Sequence, residues 1–436
     1  MARLSHTLAV VGLTAFLGSA CAPDGARFDD DSPDEGGASS GGHAQASAGR
    51  ADGGSAGTPK AGSGPTAGSA GKGTGGADSG PVGKPGFIHR SGRKLMLNGA
   101  PITLKGISFG NEVWTNTGVP SNHHSEVDFE RVASWGMNVI RFYLNYATLE
   151  DDAAPFTYQA TGWEWLDQNV TWAKNHDVYL ILNMHVPQGG FQPGPDGNAL
   201  WDVPQNQERL LALWRAIAER YKDEPIIAGY DLLNEPDVSS SAAQWQELAQ
   251  RLVTGIREVD PNHLLVVERT NAVNQVYNWD GNMNWFLVDD PNVLYTFHFY
   301  GPFLFTHQYA DWLGLGDGGP YPDSGRMERT DRSKQTFSRG REYLEAALQE
   351  YAGFGERNDV PIYLGEFGAI RYAFEGGKNG SGWVRDVVAI SKEKGFHYSY
   401  HTYHEDLFGV FYGYGQPVNP NNHNVGLMQV LQSDFK

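Results

Sequence analysis

Two glutamates in this 436-residue chain stand where paired carboxylates could do chemistry. Glu235 lies in Asn234-Glu235-Pro236 and Glu366 in Gly365-Glu366-Phe367-Gly368, and each follows an apolar run, at 227–233 and 362–364. Held roughly 5 to 5.5 Å apart, two carboxyl groups can divide the labour of a retaining glycosidase. One attacks an acetal carbon as carboxylate while the other delivers a proton to the leaving oxygen. Two like charges that close cannot both be comfortable, so the more acidic group raises its neighbour's pKa. Once the attacker is esterified its charge is gone, the second acid gives up its proton more easily, and one pair serves both steps.

Such a pair needs a frame that brings distant residues together. Apolar runs at 104–107, 139–144, 179–184, 227–233, 264–267, 293–297, 362–364 and 398–400 alternate with stretches of helical spacing. Leu210, Leu211, Trp214, Ile217, Ala218 and Tyr221 make one such stretch; Trp245, Leu248, Leu252 and Ile256 make another. Eight strand-and-helix units predict a (β/α)8 TIM barrel, an α/β fold, over residues 86–436. The fifth unit, 271–290, carries no helix pattern, and 301–332 reads as a loop over the barrel mouth. Asn98-Gly99 between 94–97 and 102–105 predicts a short N-terminal β-hairpin. Functional groups of a barrel gather at the C-terminal ends of its strands. Those ends offer Arg141, His185, Asn234, Glu235, His298 with Tyr300, Glu366 and His401, with the two carboxylates on strands four and seven.

With these residues in place the chain resembles glycoside hydrolase family 5, the cellulase-type family of retaining barrel glycosidases. The motifs are Gly136-Met137-Asn138-Val139-Ile140-Arg141, Leu182-Asn183-Met184-His185, Asn234-Glu235-Pro236, His298-Phe299-Tyr300 and Gly365-Glu366-Phe367-Gly368. The resemblance implies Glu235 as acid/base, Glu366 as nucleophile, Asn234 as donor to the sugar 2-hydroxyl and Tyr300 as the group orienting Glu366. It implies Arg141 beside the nucleophile and His185 and His298 as cleft walls. The implied substrate is a β-glycan, with β-glucan ahead of β-mannan, and the implied state a monomer. A tethered carbohydrate-binding protein without turnover is the rival of a different class. One position departs from the family: His401 stands where a Trp commonly floors a sugar ring, and Trp114, Trp201, Trp285 and Tyr403 are candidates to replace it.

Other chemistries are less well served. Gly106-Ile107-Ser108-Phe109-Gly110 matches the nucleophile elbow of serine hydrolases, yet no helix pattern follows it. His397, His401, His404 and Glu405 lack a His-Glu-x-x-His spacing, so no metal is expected, and no phosphate-binding loop suggests a cofactor. A net charge of −18 disfavours nucleic acid as a partner.

The N-terminal segment carries a separate message. Arg3, an apolar run at 8–17 and the small residues Gly18, Ser19 and Ala20 read as a signal peptide over 1–20. Cys21, the chain's single cysteine, follows directly and resembles the lipidated Cys of bacterial lipoproteins, although Gly18 holds the place usual for Leu. The expectation is an exported outer-membrane or cell-surface lipoprotein held to the membrane through Cys21, with soluble secretion as the alternative. The 64 residues from 22 to 85 hold 18 Gly, 12 Ala and 8 Ser, with Phe28 and Val82 their only large apolar side chains. That composition cannot bury a core, so 21–85 reads as a disordered tether.

Overall fold

Asn98 and Gly99 turn the chain at φ values of 50° and 82°, as a two-residue hairpin turn requires. Lys94–Leu97 pairs antiparallel with Ala100–Ile102, and His89–Ser91 adds a third strand. The second hairpin arm is shorter than its apolar pattern suggests, because Lys105 already opens the first barrel strand. The computed structural model describes residues 84, 86–115, 118–120, 124–194, 197–277, 284–330 and 335–436. The signal peptide, Cys21 and, except for Lys84, the tether lie outside the described residues.

Eight parallel strands close into a barrel in sequence order. They are β1 (Lys105–Phe109), β2 (Val139–Asn145), β3 (Tyr179–Val186), β4 (Ile227–Asp231), β5 (Leu264–Glu268), β6 (Val293–Phe299), β7 (Ile362–Phe367) and β8 (His397–Tyr400). Gly106 admits the close approach of β1 to β2: a Cβ there would meet the Val139 carbonyl oxygen at 1.7 Å. Inward-facing Val139, Ile181, Ala228, Leu264, Val266, Leu294 and Tyr363 pack with Ile88 and Leu95. The three-stranded sheet therefore plugs the barrel floor and leaves the C-terminal mouth for chemistry.

Outside the strands lie α1 (Glu126–Ser134), α2 (Ala160–Asn175), α3 (Pro204–Tyr221), α4 (Ala242–Arg257), α5 (Arg341–Asn358), α6 (Gly380–Lys394) and α7 (Val425–Asp434). In α4 the buried side chains Trp245, Leu248, Ala249, Leu252, Val253 and Ile256 recur at helical spacing, and Ser241 with Gln244 forms a capping box at its start. Burial of each large apolar side chain contributes about 1.5 to 3 kcal/mol. A proline opens α3, where its missing N–H costs nothing, and Gly395 at φ 72° ends α6.

Between β5 and β6 the described residues contain no helix. Ala272–Val273 and Val276–Tyr277 form a hairpin instead, and Ala272 and Val273 pair with Asp237 and Val238. The segment expected to be a loop from 301 to 332 has more structure than its Gly-rich composition suggests. It holds the helical turns Phe303–Thr306 and Asp311–Leu313, and its strand Asp323–Arg329 pairs with Thr336–Arg339.

Candidate active site

Arg141 and Tyr143 stand two residues apart on β2 and so share a face. Both donate to Oε1 of Glu366 on β7, Arg141 Nη1 at 2.5 Å and Tyr143 Oη at 2.7 Å. Tyr300, just beyond β6, donates to Oε2 at 2.8 Å. Only 3% of Glu366 is exposed. Burial pushes its carboxyl up, but the facing charges, that of His298 first and that of Arg141 with it, more than offset this and hold it well below the usual carboxylate range. Glu366 is thus a charged carboxylate under three directed hydrogen bonds, chemically able to act as an oxygen nucleophile.

Arg141 is itself fully buried, and all three of its nitrogens donate. Its Nε donates to Asp231 Oδ2 at 2.8 Å and its Nη2 to Asn234 Oδ1 at 2.9 Å. The Asn234 oxygen is therefore committed to Arg141, and its amide nitrogen has no partner among the described residues. An N–H donor is left for a ligand at the position expected to meet a sugar 2-hydroxyl.

Glu235 lies four residues past the end of β4 rather than on the strand, with φ at 44°. His298 Nδ1 is 2.8 Å from its Oε1. A bulge in the pairing of β6 with β7 sets His298 opposite Glu366, and this aims its ring between the two carboxylates. Ligand atoms of Glu235, His298 and Glu366 all fall within 4.8 Å of one another. That spacing fits the roughly 5 to 5.5 Å carboxyl separation of a retaining pair better than the roughly 6.5 to 9.5 Å of an inverting one. Burial lowers the His298 pKa, yet the Glu268 and Glu366 charges and the bond to Glu235 push it up to about 9. The ring accordingly arrives as a donor.

His185 stacks on Tyr143 with ring centroids 3.8 Å apart and planes at 13°, and its Nδ1 lies 2.9 Å from Asn183 Oδ1. Burial lowers its pKa far enough that it serves as a neutral wall. Trp114, Phe191, Tyr300, His307, His401 and Phe408 complete a cleft around the two glutamates. Of the candidate sugar platforms, only Trp114 is in this cleft. Trp201 is 6% exposed and donates to Gln192 at 2.8 Å. Trp285 stacks on Phe354 at 4.4 Å, and Tyr403 is buried with its hydroxyl on Asp128. These three aromatics are packing, not platform.

The rival motifs separate in space. Ser108 is fully buried within β1, with no elbow to present it. His397 opens β8 at the barrel floor, whereas His401 follows its C-terminal end, so the histidines do not converge. Sequence reading misses Tyr143, Asp231 and Glu268, and also the loop residues Phe191, His307 and Phe408. For Tyr143 the signal was the two-residue period from Arg141; for Glu268 it was the rule that strand ends carry function.

The sequence model of the cellulase family, glycosyl hydrolase family 5, matches residues 95–406. Endoglucanase C of Acetivibrio thermocellus is 29% identical over 286 residues, covering 62% of this chain and 80% of that protein. Cellodextrinase A of Ruminococcus flavefaciens is 25% identical over 252 residues, covering 57% and 70%. Among solved structures, Thermotoga maritima Cel5A in complex with cellobiose shares the fold, with a TM-score of 0.59 at 23% identity over 76% of this chain and 97% of that one. With the barrel, the paired glutamates and a family match running from Leu95 to Asp406, this chain belongs to glycosyl hydrolase family 5 and is an O-glycosidase.

Proposed function

We propose that the protein hydrolyses β-glycosidic bonds of a β-glucan by double displacement, with Glu366 as nucleophile and Glu235 as acid/base. The observation that carries this reading is the pairing itself: a buried carboxylate held charged by three donors, with a second carboxyl oxygen within 4.8 Å. In the first step a Glu366 oxygen bonds to the anomeric carbon as the glycosidic C–O bond breaks, and Glu235 gives its proton to the departing oxygen. His298 Nδ1–H then faces the carboxylate left on Glu235. In the second step Glu235 takes a proton from water, the water oxygen bonds to the anomeric carbon, and the ester to Glu366 breaks. Oε2, with one donor against two on Oε1, keeps the freer lone pair for attack. The free Asn234 N–H meets the sugar 2-hydroxyl, an interaction that strengthens as positive charge builds at the anomeric centre.

Glucan is favoured over mannan because the relatives described above are named endoglucanase and cellodextrinase. A reducing-sugar screen over β-glucan, mannan, xylan and xyloglucan, with Glu366→Gln as control, tests the reading. Release is expected from β-glucan first and from nothing in the variant; turnover by Glu366→Gln equal to wild type would remove the nucleophile from Glu366. The proposal extends to the N-terminus, where Cys21 after an export signal would carry a lipid and the Gly-rich segment would let the enzyme range from the membrane. Cys21→Ser should move the protein out of the membrane fraction, and wild type free in the medium with an unmodified terminus refutes the anchor.

A further inference from the structure

Glu235 occupies a backbone region that residues other than glycine seldom adopt, with φ at 44°. Such a conformation persists only where its surroundings fix it. Three features do so. Asn234 N donates to the Met184 carbonyl at 3.0 Å, and the Pro236 carbonyl accepts from Asn271 and Ala272. Between them, the N–H of Glu235 itself donates to Oε2 of Glu268 at 2.8 Å.

Glu268 is the last residue of β5 and 1% exposed. Its backbone is held in turn, because Trp245 Nε1 on α4 donates to its carbonyl at 2.7 Å. The same Oε2 lies 3.7 Å from His298 Nε2, on the far side of the ring whose Nδ1 meets Glu235. One buried carboxyl thus touches the main chain of Glu235 directly and faces the imidazole that touches its side chain. No part of the double displacement described above uses it.

We infer that Glu268 is a positioning residue for the acid/base: by accepting the Glu235 N–H it holds that residue in its left-handed conformation and so aims its carboxyl at the leaving oxygen. The inference rests on the assignment of Glu235 as acid/base. Burial pushes the Glu268 carboxyl up to about 8 against the pull of the His298 charge, and an oxygen of the carboxyl accepts an N–H whether the group is ionised or neutral. A glutamine should therefore do the same work, while a methionine of similar length fills the space and accepts nothing comparable.

The consequence is selective. A misaimed acid slows departure of a poor leaving group but matters little to one that departs without a proton. Glu268→Met should lose of order a hundredfold in kcat on cello-oligosaccharides. Its first-step rate on a dinitrophenyl β-glycoside should stay within about threefold of wild type, while the steady-state KM on that substrate falls, because the misaimed group is also the base of the second step and glycosyl-enzyme accumulates. Glu268→Gln should recover most of the loss. Glu235→Ala, measured in parallel, must show the same split more strongly; if it does not, the acid/base reading fails and takes this inference with it. If Glu235→Ala shows the split while Glu268→Met loses both substrates equally, or neither, Glu268 does not aim the acid. Should Glu268→Met not fold, Glu268→Gln remains decisive, because a loss on cello-oligosaccharides as large as that of Glu235→Ala overturns the acceptor role.

Discussion

Nδ1 of His401 lies 3.0 Å from the hydroxyl of Tyr143, and the two rings stack at 16°. Because the Tyr143 hydroxyl gives its one proton to Glu366, it can only accept from His401, which fixes the proton of the imidazole on Nδ1. Burial lowers the His401 pKa, so the ring is neutral and its Nε2 is a lone pair with no hydrogen bond to the described residues. A site that commonly stacks an indole on a sugar here offers a small ring and an acceptor. His401→Trp should exchange polar contact for stacking of order 1 kcal/mol. The ratio of kcat/KM on cello-oligosaccharides to that on the best substrate of the screen is then expected to rise about fivefold. An unchanged ratio would mean that His401 does not face the sugar.

The electrostatics of Arg141 make a pH prediction. The Arg141 guanidinium is one of the charges that offset burial and keep Glu366 ionised. A nucleophile held far below the ordinary carboxylate range does not set the acid limb of kcat/KM at pH 4 to 5. Removing the cation takes away one of those offsets, raises the Glu366 pKa and moves an acid limb up toward that range. Arg141→Met should therefore show activity that climbs with pH where wild type is flat, and should lose about 3 to 5 kcal/mol of stability by leaving Asp231 and Glu366 unpaired. A pH profile parallel to wild type speaks against Arg141 as the charge partner of Glu366.

Chemical rescue separates the two glutamates. With Glu366→Ala, azide can fill the nucleophile's place and should return an α-configured glycosyl azide. With Glu235→Ala and a good leaving group, the glycosyl-enzyme still forms, and azide should intercept it as the β-product. Wild-type turnover followed by proton NMR should give the β-anomer first. Early appearance of the α-anomer would falsify double displacement, since inversion needs a wider carboxyl gap.

The parts of this site that were legible in the sequence are those bound to strand ends. Glu366, His298 and Arg141 sit on strands whose apolar runs are unmistakable, and the barrel rule turns position into role. Tyr143 escaped because two residues past Arg141 it reads as one more aromatic in an apolar strand. Glu268 escaped because its run, Leu264 to Val267, stops one residue short of it. Trp285 and Tyr403 show the opposite error, since an aromatic near a strand end stacks as readily on a helix as on a sugar. Phe191, His307 and Phe408 reach the cleft from loops, whose course no periodicity records.

The barrel's stability should fall in mild acid through histidines outside the catalytic pair. Burial lowers the pKa of His397 to about 4 and that of His307 to about 3. His397 Nδ1 accepts the Leu104 N–H at 3.1 Å, so a proton there would break a bond as well as bury a charge. In the unfolded chain both rings take protons near pH 6.5. Between that pH and about 4 the unfolded state binds more protons than the native one, so stability is lost as pH falls and levels off only below the native values. His397 alone accounts for of order 3 kcal/mol of that loss. His298, raised to about 9, acts in the opposite sense, its contribution being full below pH 6.5 and lost as pH rises toward 9. Urea titrations at pH 7 and pH 4.5 should show wild type much weaker in acid, and His397→Asn, which keeps an acceptor for Leu104 without a titrating ring, should show a smaller drop. The same drop in both proteins would mean that His397 binds its proton in the folded state as easily as in the unfolded one.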